Sequence, residues 1–178
     1  MSETLEIVPY DLQWPSAFKA ERDRIAAALS AIAVRIDHNG STSVPGLAAK
    51  PIIDIQVSVR SLPIETYAPA LTQLGYVHVP HPDDSFCAFF HRPAAWPHTH
   101  HVHVVQSGED EERRTLAFRD YLREHPEVAR EYERLKRELA PQHSARDFSS
   151  RQAYADAKTA FVRRVTERAL AEGYPRAF

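Results

Sequence analysis

The segment 52–59, IIDIQVSV, narrows what this chain can fold into more than any other stretch. Side chains alternate along a strand, so Ile53, Ile55, Val57 and Val59 share one face while Ile52, Asp54, Gln56 and Ser58 share the other. The first face needs a covering layer. The second carries a carboxylate at mid-strand, and such a group needs a charged partner, a metal or an open cleft. If Asp54 is simply half of a buried ion pair, Arg35 and Arg60 are its candidate partners.

A covering layer is written just upstream. Trp14, Phe18, Ile25, Leu29 and Ile32 recur at helical spacing, which predicts an amphipathic helix over about 15–31, entered through Pro15. Val34, Ile36 and His38 then alternate with Arg35 and Asp37, a second strand that stops at the polar loop 40–46, GSTSVPG. Tyr67, Leu71 and Leu74 mark a short helix ended by Gly75, and YVHV, FCAFFH and HVHVV are three further short strands. From Gly108 the pattern is helical, broken at Pro126 and near Pro141, with a last helix expected over 151–171. Runs of strands followed by helices give an α/β (α+β) fold, a small mixed sheet with flanking and C-terminal helices.

The 178 residues hold 43% hydrophobic and 26% charged side chains, as a soluble domain does. We expect one domain over 1–178, with the sheet in 1–105 and the helical part in 106–178. Lysine and arginine number 22 against 24 acidic residues, for a net charge of −2, which leaves no global field to draw nucleic acid or anionic lipid. No run reaches the length of a membrane span and the N-terminus has no basic-then-apolar start, so membrane residence and export are not expected. The single cysteine, Cys87, excludes an internal disulfide and a cysteine-built zinc site; a reducing, cytoplasmic home follows. Its apolar neighbours place Cys87 in the core and argue against a nucleophile.

Chemistry concentrates in few places. Gly40, Ser41, Thr42 and Ser43 follow a strand and offer backbone amides and hydroxyls, the material of a phosphate cradle or, more simply, of a capped turn. Seven of the ten histidines fall between His78 and His103. His101 and His103 lie two apart on a predicted strand, so with Asp54 on a neighbouring strand they make a two-histidine, one-carboxylate set that suits zinc, manganese, iron or nickel better than magnesium. The competing reading makes His98, His100 and His101 polar loop residues and one strand histidine a hydrogen-bond partner for Asp54. Tyr154, Lys158, Phe161 and Val165 share one face of the last helix, which puts Lys158 within an apolar stripe, either snorkelling or reaching an anion. Arg119, Tyr121 and Lys50 are secondary anion contacts, whereas Arg130, Arg134 and Arg137 alternate with glutamates as a solvated ion-pair face.

The run HNGSTSVPGLAAKPIIDIQV resembles the characteristic segment of the GrpB family, a group within the nucleotidyltransferase superfamily. The opening IVPYDLQWPSAF, the strand HVHVV, the phrase LAFRDYLREHPEVAREYERLKREL and the closing YADAKTAFV extend the resemblance over most of the chain. The resemblance implies a nucleotidyltransferase-type fold in which Gly40 and Ser41 hold phosphate, Lys158 and Tyr154 belong to the site, and Asp54 holds a divalent metal such as magnesium. Gln56 occupies the place of a second metal-binding carboxylate. The implied partner is a nucleotide or other phosphate-bearing small molecule, with transfer of a nucleoside monophosphate as the implied activity. The alternatives are an accessory module, since GrpB-like domains occur fused to dephospho-CoA kinase and a protein partner fits that role, and metal-dependent phosphoester hydrolysis through the histidines.

Overall fold

The computed structural model describes residues 4–176, the side chain of Asp83 apart. Helix α1 (Trp14–Leu29) starts with Pro15 in its first turn, where no backbone donor is lost, and buries Trp14, Ile25 and Leu29. The strands β1 (Ala33–Asn39), β2 (Ile53–Val59), β3 (Val77–Val79), β4 (Cys87–Arg92) and β5 (His100–Gln106) form one sheet in the order β1-β2-β5-β4-β3. β2 and β5 are parallel, and the other neighbours are antiparallel. β5 is thus the last strand in sequence but lies in the middle of the sheet, joining the β1-β2 and β3-β4 pairs.

The alternation of β2 is obeyed. Ile53, Ile55, Val57 and Val59 pack with Val102, Val104, Ala88 and Phe90 against α1 and the short helix α2 (Ala68–Gln73) through Ile25, Leu29, Tyr67, Leu71 and Tyr76. Each fully buried side chain of this kind stabilises the fold by roughly 1.5–3 kcal/mol. The other face meets the C-terminal helices α3 (Asp110–Glu124), α4 (Pro126–Leu139), α5 (Phe148–Asp156) and α6 (Thr159–Ala171). A second core, with Val44, Ala117, Tyr121, Tyr132, Phe161 and Val165, ties three of these helices to the loop after β1. The expected mixed α+β architecture is therefore present, with its polar strand face beneath a helical layer.

The last helix departs from the sequence reading. Instead of one helix over 151–171 there are two, because the amide of Ala157 bonds the carbonyl of Ala153 while that of Lys158 bonds Ala155, which tightens the ladder before Thr159 opens α6. α5 also begins earlier than expected, at Phe148, where the Asp147 carboxylate accepts hydrogen bonds from the amides of Ser149 and Ser150. Among the described residues no helix is long and apolar enough to cross a membrane.

Candidate functional site

Parallel pairing of β2 with β5 sets Asp54 opposite His101 and Gln56 opposite His103. The Asp54 Oδ1 atom lies 3.2 Å from His101 Nδ1 and 4.0 Å from His103 Nε2. Burial opposes ionisation of Asp54, but the His101 hydrogen bond and the charges of His101, His103 and Lys50 outweigh it and hold the carboxyl below its ordinary value. Arg35 is bound instead to Asp37 at 2.5 Å, so the ion-pair alternative involving it does not apply. The side chain of Asp54 remains 28% exposed, and Gly40 crosses close above it: a Cβ at Gly40, whose φ is +64°, would fall 2.2 Å from Asp54 Oδ2. Only glycine fits there.

One potential ligand atom each from Asp54, His101 and His103 lies within 4.8 Å of the others. That donor set fits a single borderline divalent ion such as zinc or manganese. It does not fit a pair of magnesium ions, which need several anionic oxygens. Gln56 supplies none: it is completely buried, and its Oε1 accepts from Thr115 Oγ1 at 2.5 Å and Asn39 Nδ2 at 3.2 Å. Its Nε2 has no partner among the described residues. The position read from sequence as an open cleft face is closed by Thr115 of α3.

The loop 40–46 forms a short 3-10 turn at Ser41–Ser43. Two of its hydroxyls hold the loop itself: Thr42 Oγ1 bonds His38 Nε2 at 3.0 Å and the Ile52 carbonyl at 3.3 Å, and Ser43 Oγ donates to the Gly40 carbonyl at 2.6 Å. Ser41 is the one whose hydroxyl is near enough to Tyr132 of α4 to act on its phenol.

Beside Asp54 the structure brings together Lys50, Lys136 and Lys158. Lys50 and Lys158 place their Nζ atoms 5.2 and 3.9 Å from the Tyr154 ring centre, and Lys136 lies 4.9 Å from that of Tyr132. Lys136 Nζ also donates to the Ala48 carbonyl; cation–π contact and this bond hold the ammonium groups but do not neutralise them, and none is within 4.0 Å of a carboxylate among the described residues. Burial pushes Lys136 down to about 7, with Glu133 opposing, and pushes Lys158 down to about 7, reinforced by the charges of Lys50 and Lys136. Lys50 is lowered by the same cause. Tyr154 is fully buried and its hydroxyl has no partner among the described residues.

Lys136 escaped the sequence reading because it stands among the arginines and glutamates of α4, yet it lies four residues after Tyr132 and eight after Val128, on the buried face. Lys158 sits at the break between α5 and α6 rather than within a continuous stripe. Arg119 and Tyr121 do not join the lysines. Arg119 is buried and bonds Asp37, Asp120 and the His38 carbonyl, clamping α3 to β1. Tyr121 stacks on His125 with ring centres 3.9 Å apart, in the second core. Cys87 is not a core residue either: it is half-buried on the polar face, its Sγ 3.9 Å from His103 Nδ1. Alternation along β4 places it there. Cys87 and His103 line both a cavity of about 390 Å³ toward α5 and one of about 340 Å³ toward α3 and α6.

The family whose description is "GrpB protein" matches residues 4–168. A UPF0157 protein of Halalkalibacterium halodurans is 42% identical over 94% of this chain and 84% of its own length. A dephospho-CoA kinase of Mycolicibacterium paratuberculosis is 30% identical over 75% of this chain, which corresponds to 39% of that protein. In three dimensions, the crystal structure of conserved protein GrpB from Enterococcus faecalis superposes with a TM-score of 0.82 at 32% identity, covering 94% of this chain and 98% of that one.

Proposed function

The chain belongs to the GrpB family, and from that membership we propose that its cleft binds a phosphate-bearing ligand. One observation carries the reading: buried Lys136 and half-buried Lys50 and Lys158 converge without a carboxylate in ion-pair contact among the described residues. Buried ammonium groups packed against one another are costly, and a polyanion entering among them removes that cost. Gly40 and Tyr132 line one cavity with Asp54, and the Tyr132 ring lies against Lys136, so the backbone turn and the phenol are at hand as neutral hydrogen-bonding groups. A divalent ion held by Asp54, His101 and His103 would supply further neutralisation of phosphate charge.

Nucleoside monophosphate transfer, the activity implied by the family's superfamily, asks more of the residues than binding does. Asp54 has no carboxylate companion on its strand, and Gln56 is sequestered by Thr115 and Asn39. Binding is therefore the function these residues support best, with hydrolysis or transfer as activities to be read out in the same assay. The match to part of a dephospho-CoA kinase favours a second reading, an accessory module that presents or retains a phosphate compound for a partner domain.

Titration calorimetry with tripolyphosphate, with and without manganese, tests the proposal on wild type, Lys158→Met and Asp54→Asn. Wild type should bind, Lys158→Met should bind at least tenfold more weakly in either condition, and Asp54→Asn should lose only the manganese-dependent part. Binding that is indifferent to Lys158→Met, or no binding by wild type, would overturn the assignment.

A further inference from the structure

Large exposed hydrophobic side chains include just two aromatic ones among the described residues, Phe86 at 47% and Phe148 at 57% exposure, and both line the same cavity. That cavity, about 390 Å³, lies between β4, β5 and α5, a size at which small-molecule sites begin to be useful. Phe89 contributes its floor, with its ring centre 5.0 Å from that of His101 and 5.1 Å from that of His103. Trp96 contributes a wall. The guanidinium of Arg151 lies 4.5 Å from the Trp96 ring centre and 5.7 Å from that of Phe148, while it donates to the Ala145 carbonyl at 2.8 Å. The aromatic rim is thereby pinned in place without being covered.

Lys50 links this cavity to the lysine cluster: it lines the cavity and shares the Tyr154 ring with Lys158. A space lined by flat apolar rings, by the Gln152 amide and by the Lys50 cation, which the Tyr154 ring connects to Lys158, suits an amphipathic ligand of matching shape. We propose that the ligand is a phosphate ester carrying a flat aromatic ring, with the ring held among Phe86, Phe89, Trp96 and Phe148 and the phosphate at the lysines. The proposal rests on the phosphate reading above and names the substrate class for it. Stacking works for any ring with a π-face, so the cavity selects the class of ring, while Gln152 and the histidines that line it are polar groups able to read its heteroatoms.

Calorimetry in the presence of manganese with tripolyphosphate, adenosine triphosphate and 4-nitrophenyl phosphate separates the two levels. On wild type, a ring-bearing ligand should bind roughly tenfold or more tightly than its ring-free counterpart, the scale of one stacked base. Phe86→Ala and Phe148→Ala should bring adenosine triphosphate down to the level of tripolyphosphate and leave tripolyphosphate itself unchanged. Adenosine monophosphate against 4-nitrophenyl phosphate, which carry one phosphate each, then separates the rings: preference for the former identifies a nucleotide, and the reverse a simpler aryl phosphate. Equal affinity for tripolyphosphate and both ring compounds, or a preference that survives both substitutions, overturns the ring assignment and leaves the phosphate reading standing. Failure of all three to bind overturns the phosphate reading and the ring assignment with it. Both substituted positions are exposed, so loss of folding does not confuse the result.

Discussion

Gln56 is where a single side chain says most about the chemistry of the cleft. Its oxygen is taken up by Thr115 and Asn39, its nitrogen is unpartnered, and it is sealed from water. Restoring the carboxylate that two-metal chemistry favours would therefore place an anion in a closed site. We expect Gln56→Glu to lower stability by roughly 3–5 kcal/mol at neutral pH, as an uncompensated buried charge does. Burial raises the folded pKa of such a glutamate above its unfolded value near 4.3. The loss of stability should therefore grow as pH rises from about 4 and be smallest in acid. Urea denaturation at several pH values measures it, and an unchanged midpoint would mean that the pocket opens to solvent. Asp54, one position along the same face, differs because His101 and His103 stand beside it and its side chain is still partly wet.

At the scale of elements, the short helix α5 carries Phe148, Arg151 and Tyr154 to the cleft. With 9 residues it is too short to persist alone, so the Asp147 cap matters. Asp147→Ala should loosen the start of α5 and speed its amide hydrogen exchange several-fold while α6 keeps its protection; equal loss in both helices would show that they unfold together. The strands were legible because β2 and β5 announce themselves by period-two alternation of β-branched residues, and the pairing of Asp54 with the histidines followed from the same rule. The boundary at 157–158 was not legible. Ala157 and Lys158 carry no glycine or proline to mark a break, and the apolar spacing of Tyr154, Phe161 and Val165 runs straight through it. Lys136 was hidden for a related reason, since a lone basic residue in a charged helix looks solvated until the neighbouring helix is placed over it. The role of Cys87 was misread because FCAFF is apolar by composition, while alternation sends Cys87 and Phe89 to the cleft and Ala88 and Phe90 to the core.

For the molecule as a whole, the lysine cluster couples folding to pH. Lys136 and Lys158 are held at about 7 in the fold against an ordinary 10.5, so the folded state sheds protons that the unfolded chain keeps. The resulting stability is fully present above 10.5 and is lost as pH falls to about 7, which means these groups make the unliganded protein less stable near neutrality than in mild alkali. Lys50, Glu133, Arg137 and Asp54 are the charges that face them, and only Glu133 and Asp54 oppose the effect. Lys136→Met should flatten this pH dependence and stabilise the protein by roughly 1–2 kcal/mol at pH 7, read from thermal or urea melts across pH 7 to 10. A variant with unaltered pH dependence would show that Lys136 is not the group responsible.

The central position of the last strand also bears on how the protein is born. Asp54 and its β1-β2 hairpin leave the ribosome well before His101, and β3-β4 follow as a second, separate hairpin. Until β5 slots between them there is no sheet joining the two, and none of the Asp54 partners among the histidines of that strand is present. Neither a cation nor a phosphate compound, bound as proposed, would then act as a template before β5 and the lysine-bearing helices are made, so that loading would follow the synthesis of those elements.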